Sequence, residues 1–342
     1  MQAVQIVKQG HPLEAREVAL PQPGTDEIRV RIAAAGICHS DVHYRNGTGS
    51  VAKLPITPGH EVAGVVDACG AGVTGIAAGD RVALHYLVTC GRCDYCRRGL
   101  EQFCRHGRML GKHVDGGYAE YIVAPARNAI PIPAGVGAAE AAIMMCSTAT
   151  AFHALNKARV RAGDRVAVFG VGGLGMSALQ LAHICGAVEV FAVDIDPRKL
   201  AASEAYGAHP IDPSAGAPEV QLRALTHGAG VDVALEFAGL PITQQQALAS
   251  LAPQGRVALA GISGVPFPVD SYGNVINREA EIVGVSDHLR GELVTLMEFA
   301  SRGRLDLASV IADRVPLDAD EINRRLDALE DFHGYTRSVI VA

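Results

Sequence analysis

Four cysteines in one short stretch form the densest group of potential metal ligands in the sequence. The pattern C-x2-C-x2-C-x7-C is formed by Cys90, Cys93, Cys96 and Cys104. A tetrahedral zinc ion takes four thiolates, and two-residue spacers let a tight loop turn several sulfurs towards one point. Gly91 and Gly99 supply the backbone freedom that such a loop needs. The alternative is four unrelated thiols. With four protein ligands no position remains for substrate, so the pattern predicts a structural zinc.

A nucleic-acid site is another interpretation of this stretch, because residues 90–112 carry six Lys or Arg and two Asp or Glu, or 6 − 2 = +4. Such a site usually combines aromatic platforms with a basic surface. Tyr95 and Phe103 are the aromatic residues here, and the whole chain has a net charge of −6. The charges therefore favour a solvated lobe, with no nucleic-acid partner.

A second set of potential ligands is spread over three distant stretches, around Cys38, His60 and Cys146. Each is weak by itself, since an isolated cysteine is usually an inert buried residue. Together they supply two thiolates and one imidazole. Three protein ligands with an open fourth position are typical of catalytic zinc. Two cysteines with one histidine are one of the known sets, the one found in alcohol dehydrogenase.

A glycine-rich turn follows the apolar segment of residues 165–169 and opens a predicted helix. Its G-x-G-x-x-G pattern is Gly170, Val171, Gly172, Gly173, Leu174 and Gly175. The first glycine makes the tight turn, the second lets the backbone approach a pyrophosphate, and the last lets the helix pack on the strand. Backbone N–H groups at the helix start then hold the phosphates. Asp194 closes the next strand, 194 − 175 = 19 residues on, and its carboxylate suits ribose hydroxyls, which predicts NAD over NADP.

The chain resembles the zinc-dependent alcohol dehydrogenases of the medium-chain dehydrogenase/reductase superfamily along its whole length. The resemblance is carried by G-I-C-H-S-D-V-H at 36–43, G-H-E at 59–61, C-S-T-A-T at 146–150, the four-cysteine lobe and the glycine turn. It implies that Cys38, His60 and Cys146 bind the catalytic zinc. It also implies that Asp41 and Glu61 are supporting acids, consistent with a carboxylate that orients a ligating histidine.

Two residues beside these ligands suit a proton relay. Zinc lowers the pKa of a bound hydroxyl, and the released proton must leave a dry pocket. Ser40 can accept it and pass it through the cofactor ribose to His43, whose side chain titrates in a suitable range. The alternative for Ser40 is a hydroxyl that stabilises the loop.

The resemblance also implies four cofactor contacts. Lys199 matches a position that touches the adenosine ribose, His39 and Arg337 match positions that contact the pyrophosphate, and Thr150 matches one beside the nicotinamide. Because of Arg198, NADP remains an alternative cofactor, since its guanidinium could bind a 2′-phosphate if Asp194 turned away.

The sequence departs from many relatives in having no tryptophan. Residues 44–50, after His43, are largely small or polar, and His85 and Tyr86 are the expected remaining pocket walls. The resulting hypothesis is a pocket that accepts primary or secondary alcohols larger than ethanol, together with their carbonyl products. Cys69 and Cys185, outside both clusters, are predicted to be core residues.

The elements that must position these groups fall into two types. Up to about residue 149, short alternating strands at 27–33, 61–68 and 81–84 are broken by Gly and Pro. From residue 165, strands at 166–169, 189–193, 209–211, 231–236 and 256–260 alternate with helices that include 197–206 and 242–251. Helices at 292–300 and 318–330 and a strand at 338–341 close the chain.

This alternation predicts an α/β protein in which a β-rich unit is joined to a parallel sheet with helices on both faces. The resemblance implies that the first is a GroES-like catalytic domain and the second a Rossmann domain with a doubly wound parallel sheet. The expected boundaries are 1–147 and 284–342 for the catalytic domain, with its lobe at 90–104, and 148–283 for the NAD-binding domain. Substrate is expected to enter the cleft between them. The resemblance implies a homodimer or homotetramer, in which a strand edge near 256–284 would extend the sheet across a two-fold axis.

Composition is consistent with this assignment. Hydrophobic residues make up 49% and charged residues 19%, as in globular proteins with a sizeable core. No signal peptide is apparent and the apolar run at 166–182 contains the glycine turn, so we expect a cytoplasmic protein with no membrane partner. The eight cysteines are then metal ligands or thiols rather than disulfides.

The predicted function is reversible, NAD-linked oxidation of primary or secondary alcohols by a chain with two zinc ions. The alternative within this superfamily is a polyol dehydrogenase or another specialised zinc dehydrogenase. A zinc-ribbon nucleic-acid binder would explain only residues 90–104. An inactive cofactor-binding relative would be expected to have lost a ligand or Ser40, and both are present.

Overall fold

A computed structural model describes residues 1–330 and 337–341. Its strands, in chain order, are β1 (Gln2–Gln5), β2 (Glu14–Glu17), β3 (Glu27–Ile37), β4 (Glu61–Cys69), β5 (Arg81–Leu84), β6 (Leu87–Val88), β7 (Arg108–Met109), β8 (Tyr121–Pro125), β9 (Ala129–Pro131), β10 (Arg165–Phe169), β11 (Glu189–Val193), β12 (His209–Ile211), β13 (Val231–Glu236), β14 (Leu251–Leu259), β15 (Glu281–Gly284), β16 (Asp313–Val315) and β17 (Ser338–Val341). Its helices are α1 (His39–Asn46), α2 (Asp94–Arg97), α3 (Ala138–Ile143), α4 (Ala149–Lys157), α5 (Gly173–Ile184), α6 (Pro197–Glu204), α7 (Pro218–Leu225), α8 (Pro241–Ala249), α9 (Arg290–Ser301) and α10 (Ala319–Glu330).

The chain divides into two compact units. The first unit comprises residues 1–149 and 289–342, and the second comprises residues 150–288. The first boundary, 149/150, lies two residues after the predicted 147/148. The second boundary, 288/289, lies five residues after the predicted 283/284. The first boundary lies inside α4, because that helix begins at Ala149.

The first unit is built on a mainly antiparallel sheet with the order β16-β17-β3-β4-β5-β9, and β8 also pairs with β3. In β3, Ile28, Val30 and Ile32 are buried while Arg31 is exposed, which is the alternation expected of a strand with one face on the core. β3 continues to Ile37, four residues beyond the predicted end, because β17 pairs with its last part.

The second unit contains a six-stranded parallel sheet in the order β12-β11-β10-β13-β14-β15. Residues 166–169 of β10 are fully buried, as expected of a parallel strand covered by helices on both faces. The order changes direction between β10 and β13, and ligands of such sheets bind outside the strand ends at this type of switch point. The predicted combination of a GroES-like β-rich unit with a doubly wound parallel sheet is confirmed.

Two local predictions are wrong. Helix α8 ends at Ala249 rather than at residue 251, and β14 already begins at Leu251. Gln254 has a φ of +60°, so an irregularity within the strand separates the two parts that pair with β13. Cys69 is exposed, and its Sγ lies 3.7 Å from the Ile76 carbonyl oxygen, so it is not a core residue. Cys185 is half-buried.

Every helix among the described residues is too short or too polar to cross a membrane.

Candidate active site

The register between β3 and β4 brings the first two predicted catalytic ligands together. Gly36 of β3 pairs with Glu61 of β4, so Cys38, just after β3, and His60, just before β4, lie at the same end of the sheet. A Cβ on Gly36 would lie 1.9 Å from the Glu61 Oε2 atom. Glycine is therefore required here, because a larger residue would displace the Glu61 carboxylate.

The third ligand comes from another part of the same unit. Cys146 lies in the wide turn Met144–Thr148 between α3 and α4. The ligand atoms of Cys38, His60, Glu61 and Cys146 all lie within 4.8 Å of one another. Cys38, His60 and Glu61 are buried and Cys146 is half-buried. The fold thus brings together the three predicted ligands, together with a carboxylate that was predicted only as a supporting group.

Asp41 supports this cluster from the first turn of α1. Its Oδ1 atom lies 3.3 Å from His60 Nδ1, so the His60 Nε2 atom is the one available to bind a metal. Its Oδ2 atom accepts hydrogen bonds from the Cys38 backbone N–H, at 3.1 Å, and from the Tyr118 hydroxyl, at 2.8 Å. A carboxylate fixed in this way orients the imidazole and raises its basicity.

Tyr118 is a site residue that the sequence analysis missed. It is fully buried, and a Cβ on Gly59 would lie 2.3 Å from its ring, so it packs directly beneath the loop that carries His60. The pair Tyr118 and Asp41 is separated by 77 residues. A buried tyrosine usually needs a partner for its hydroxyl, and that rule could have singled it out, although it would not have named Asp41.

Glu61 contacts an arginine, whereas Asp41 contacts the ligand His60. Its Oε2 atom pairs with the Arg337 guanidinium, and its Oε1 atom has no hydrogen-bond partner among the described residues. Arg337 reaches it because β17 pairs with β3, with Ser338 opposite Ile37. Burial raises the pKa of Glu61 to about 7 despite the arginine. Arg337, predicted to contact a pyrophosphate, is 5% exposed and contacts this carboxylate.

The pKa shifts in the cluster favour a thiolate at Cys38 and a proton on Cys146 and on His60, and a metal ion would have to displace those two protons. A hydrogen bond from Cys146 lowers the pKa of the Cys38 thiol well below its usual value, and the reciprocal contact raises the pKa of Cys146. Burial opposes a charge on His60, but Asp41 and Cys38 raise its pKa well above the usual value. Two thiols and an imidazole converge in a buried site that favours a thiolate, and this donor set fits zinc.

The four-cysteine lobe also converges, but near the surface. The Sγ atom of Cys93 lies 3.6 Å from that of Cys96 and 3.9 Å from that of Cys104. The Cys90 backbone N–H points at Cys104 Sγ, at 3.3 Å. Backbone N–H groups lower the pKa of Cys93 to about 6, whereas burial among the other thiols raises the pKa of Cys96 to about 12. Four thiols in mutual contact are what a closed zinc site requires.

The lobe gains its shape from loop geometry rather than from apolar packing. Gly91 and Gly99 both have φ = +69°, a left-handed conformation that uses the backbone freedom expected of them. Arg105 binds Asp94 through two hydrogen bonds of 3.0 Å, with both side chains about half exposed. One basic residue of the lobe is therefore paired internally.

The predicted relay residues lie on α1, directly after the first ligand. His39, Ser40 and His43 are all half-buried. The His39 and His43 rings are 5.1 Å apart and tilted by 51°. The His43 Nδ1 atom lies 3.2 Å from Thr48 Oγ1. Ser40 thus neighbours the ligand Cys38 in sequence, and His43 lies one helical turn further on.

The glycine turn adopts the geometry that a phosphate cradle needs. Gly170 has φ = +88°, and a Cβ there would lie 3.0 Å from the Ala238 nitrogen. A Cβ on Gly175 would lie 2.2 Å from the Gly170 oxygen, so this glycine allows α5 to approach β10. Gly172 caps α5 and faces open space. Gly173 and Leu174 form the first turn of α5, where backbone N–H groups point outward.

Asp194 follows β11 and contacts this turn. It accepts hydrogen bonds of 2.9 Å from the backbone N–H groups of Val171 and Asp196. Arg198 is held by Asp196, through contacts of 2.8 and 3.1 Å, and this arginine lowers the pKa of Asp196 to about 2. Lys199, in the first turn of α6, is half-buried. Thr150, in the first turn of α4, is also half-buried.

The expected pocket walls lie beside the catalytic cluster. Tyr86 is buried and presents its ring edge-on to His60, with the ring centres 5.2 Å apart. His85 is 6.0 Å from Tyr86, and burial, assisted by Arg290 and Arg127, lowers its pKa to about 3. His85 is therefore neutral near pH 7.

The stretch at 44–50 is less open than its composition indicated. Tyr44 packs in the core of the first unit. Arg45 is buried and its guanidinium binds Asp327, at 2.6 Å, and Glu330, at 2.9 Å, both on α10. Exposed residues begin only at Gly47.

Two family models match the chain. The alcohol dehydrogenase GroES-like domain matches residues 24–134, and the zinc-binding dehydrogenase domain matches residues 173–302. The first match contains Cys38, His60 and the four-cysteine lobe, and the second contains most of the parallel sheet.

Whole-length relatives agree with these matches. An NAD-dependent alcohol dehydrogenase from Sulfurisphaera tokodaii is 32% identical over 351 residues and covers all of both chains. The crystal structure of an NAD-dependent alcohol dehydrogenase superposes with a TM-score of 0.93 at 32% identity, again over all of both chains. A structure from Sinorhizobium meliloti with NADP bound superposes with a TM-score of 0.89 at 28% identity, over 100% of this chain and 99% of that one.

The converging thiols and imidazole, the glycine turn before α5 and the full-length similarity have one common explanation. This chain belongs to the zinc-dependent alcohol dehydrogenases of the medium-chain dehydrogenase/reductase superfamily.

Proposed function

We propose that this protein is an NAD-linked alcohol dehydrogenase that holds two zinc ions and interconverts primary or secondary alcohols with aldehydes or ketones. The observation that carries the proposal is the convergence of Cys38, His60 and Cys146 within 4.8 Å, in the same chain as the glycine turn of a dinucleotide-binding sheet. A zinc ion held by these three residues acts as a Lewis acid and lowers the pKa of an alcohol hydroxyl.

The protein residues then have separable tasks. Asp41 and Tyr118 fix the orientation of His60. Ser40 accepts the hydroxyl proton, and His43 carries it away from the buried cluster. Arg337 neutralises Glu61, whose carboxylate oxygen also lies close enough to the cluster to be a fourth ligand when no substrate is present.

The cofactor preference follows from the end of β11. Asp194 offers a carboxylate beside the glycine turn, where a 2′-phosphate would meet a negative charge. Arg198, the residue that left NADP open, is neutralised by Asp196. We therefore propose NAD, with Lys199, Thr150, His39 and Arg337 as further contacts. An Asp194→Ala variant should raise the KM for NAD far more than the KM for NADP, and equal changes in both would contradict the assignment.

The substrate pocket is proposed to be bordered by Tyr86, whose ring lies beside His60, and by His85, whose ring lies beside Tyr86. Secondary and larger primary alcohols should then give higher kcat/KM values than ethanol. A panel of alcohols and ketones would test this, and it would also test the alternative of a polyol dehydrogenase. A Tyr86→Ala variant should shift the preference further towards bulky substrates.

A homodimer or a homotetramer is part of the proposal. Strand β15 is the last strand of the six-stranded sheet, so one of its edges is available for pairing with a second copy. Ile282, within this strand, is 41% exposed, and Tyr272 and Ile276, which precede it in the chain, are 68% and 65% exposed. An apolar edge of this type suits a two-fold contact. Light scattering of the wild type and of an Ile282→Lys variant would test it, and an unchanged oligomer mass would count against this interface.

The proposal also includes a reducing, cytoplasmic compartment. Zinc-binding cysteines must be thiolates, and all eight cysteines in the structure are free.

The direct test combines NADH absorbance with elemental analysis. The purified protein should reduce NAD with an alcohol and should contain about two zinc ions per chain. Protein loaded with both zinc ions that failed to transfer hydride to NAD from any alcohol in the panel would refute the proposal.

A further inference from the structure

We infer that Thr48 is a positioning residue that holds His43 in the tautomer with its proton on Nδ1, so that Nε2 is the nitrogen that accepts the relayed proton. This inference rests on the proposed function, because it concerns the direction in which the proton leaves the site.

The chain brings Thr48 back over His43 immediately after α1 ends. Gly47 caps the helix with φ = +83°, a left-handed conformation that reverses the chain direction. The Gly49 backbone N–H then donates to the His43 carbonyl oxygen at 2.8 Å. Between these two glycines, Thr48 Oγ1 lies 3.2 Å from His43 Nδ1 and 3.3 Å from the His43 carbonyl oxygen.

The hydrogen-bonding capacities of the Thr48 hydroxyl and its two neighbours limit where the protons can lie. The Thr48 hydroxyl has one proton and two neighbours, the His43 carbonyl oxygen, which can only accept, and Nδ1, which can accept or donate. The arrangement that satisfies both contacts directs the hydroxyl proton at the carbonyl and makes Nδ1 the donor to the hydroxyl oxygen. In a neutral imidazole this leaves the lone pair on Nε2. The tautomer of a histidine is set by the hydrogen bond that its other nitrogen makes, and here the partner is a neutral hydroxyl.

The acids near the end of α1 have other partners. Asp327 and Glu330, on α10, bind the Arg45 guanidinium, and Glu330 also accepts from Asn46 Nδ2 at 2.6 Å. The ring that faces His43 on its own helix is His39. A carboxylate at Nδ1 would favour a permanently protonated ring, whereas a hydroxyl fixes its orientation and allows the ring to release the proton again.

The first test reads the tautomer directly. In protein with ¹⁵N-labelled histidine, loaded with zinc, the two ring nitrogens of a neutral imidazole have distinct chemical shifts, and a His43→Gln variant identifies the signals of His43. We expect the Nδ1–H form in the wild type and in Thr48→Ser. In Thr48→Val, which keeps the side-chain shape and removes the hydroxyl, the Nδ1–H preference should be lost.

The second test reads proton transfer. With zinc and saturating NAD, mixing with an alcohol should give a burst of proton release that a pH indicator detects. Thr48→Val should slow this burst by about 3- to 10-fold, in line with the loss of one hydrogen bond, and Thr48→Ser should restore it. Ser50→Ala, at an exposed position of the same loop, is the matched control and should keep the wild-type rate.

Two results would overturn the inference: an Nε2–H form in the wild type, or a Thr48→Val variant with the wild-type tautomer and burst. The failure of the proposed relay looks different. If His43→Gln released protons at the wild-type rate, His43 would not be the relay, whereas the NMR spectra would still decide the tautomer.

Discussion

The two groups of side chains that we propose as zinc ligands are assembled in different ways. The lobe draws all four ligands from residues 90–104, they are half-buried, and the supporting pair Asp94 and Arg105 lies at the surface. The other cluster draws Cys38, His60 and Cys146 from three distant segments, and its supporting Asp41 and Tyr118 are buried. The lobe is a local structure, for which we propose a dependence on metal, whereas the second cluster is assembled by the β3–β4 pairing and by the turn that carries Cys146.

Because of this difference, we expect the lobe to affect mainly stability and the buried cluster to affect mainly catalysis. A site with four protein ligands is closed, so its metal contributes to folding. A site with three ligands keeps a position for substrate, and its precision depends on the residues that hold the ligands. Matched substitutions in the two clusters should therefore have effects of different kinds.

The largest expected effect is on catalysis, from His60→Ala. Removing the imidazole should lower kcat/KM by about a thousand-fold or more, since a Lewis-acidic metal contributes several kcal/mol to the transition state. The melting temperature should change little, because β3 and β4 pair independently of this side chain. Steady-state NADH kinetics and calorimetry would check both parts. A fall in melting temperature as large as that of a lobe variant would contradict the division of roles.

The next effect is on stability, from Cys104→Ser in the lobe. Loss of a structural metal costs several kcal/mol, and each kcal/mol moves the melting temperature by about 2–4 °C in a domain of this size. We expect a fall of about 10 °C in calorimetry. At low temperature the variant should keep most of its kcat, and a loss of kcat equal to that of His60→Ala would show that the lobe takes part in catalysis.

A smaller effect is expected from the two supporting aspartates. Asp41→Asn should weaken zinc binding at the buried cluster by about 10- to 100-fold, because the amide no longer favours the ligating form of His60. Asp94→Asn is the matched control in the lobe, where the ion pair with Arg105 is exposed and solvent screening leaves it little effect. Competition with a chromogenic chelator would measure both affinities. Equal losses in the two variants would remove the distinction between buried and exposed support.

The smallest effect is expected from Tyr118→Phe. Loss of its hydrogen bond to Asp41 should weaken zinc binding by about 3- to 10-fold, which corresponds to one net hydrogen bond. Tyr95→Phe in the lobe should leave zinc affinity unchanged within error. The same chelator competition applies, and a Tyr118→Phe variant with wild-type affinity would show that Asp41 needs no help from the tyrosine.

The comparison also explains what could be predicted from sequence. The lobe follows from spacing alone, because its ligands and glycines are neighbours in the chain. Several strands have the predicted bounds, namely Arg81–Leu84, Glu189–Val193, His209–Ile211, Val231–Glu236 and Ser338–Val341. These segments combine apolar patterns with clear turn residues, so local sequence and fold agree.

The buried cluster is different, because its assembly depends on long-range register. No local pattern places Arg337 beside Glu61, because that contact follows from the pairing of β17, β3 and β4. Nor does one place Tyr118 beside Asp41, because the Tyr118 backbone is held by hydrogen bonds with Val4 and Pro58. The prediction that α8 ends at residue 251 is wrong for a related reason. Leu251 continues the apolar pattern of the helix, but pairing with β13 takes it into β14.

The most direct test of the account is the zinc content of three proteins prepared in parallel. The wild type should contain about two zinc ions per chain, and Cys146→Ser and Cys104→Ser should each contain about one. The zinc in Cys146→Ser should have only sulfur neighbours by X-ray absorption, and that in Cys104→Ser should have sulfur and nitrogen neighbours. A wild type with one zinc ion, bound by sulfur alone, would contradict the account.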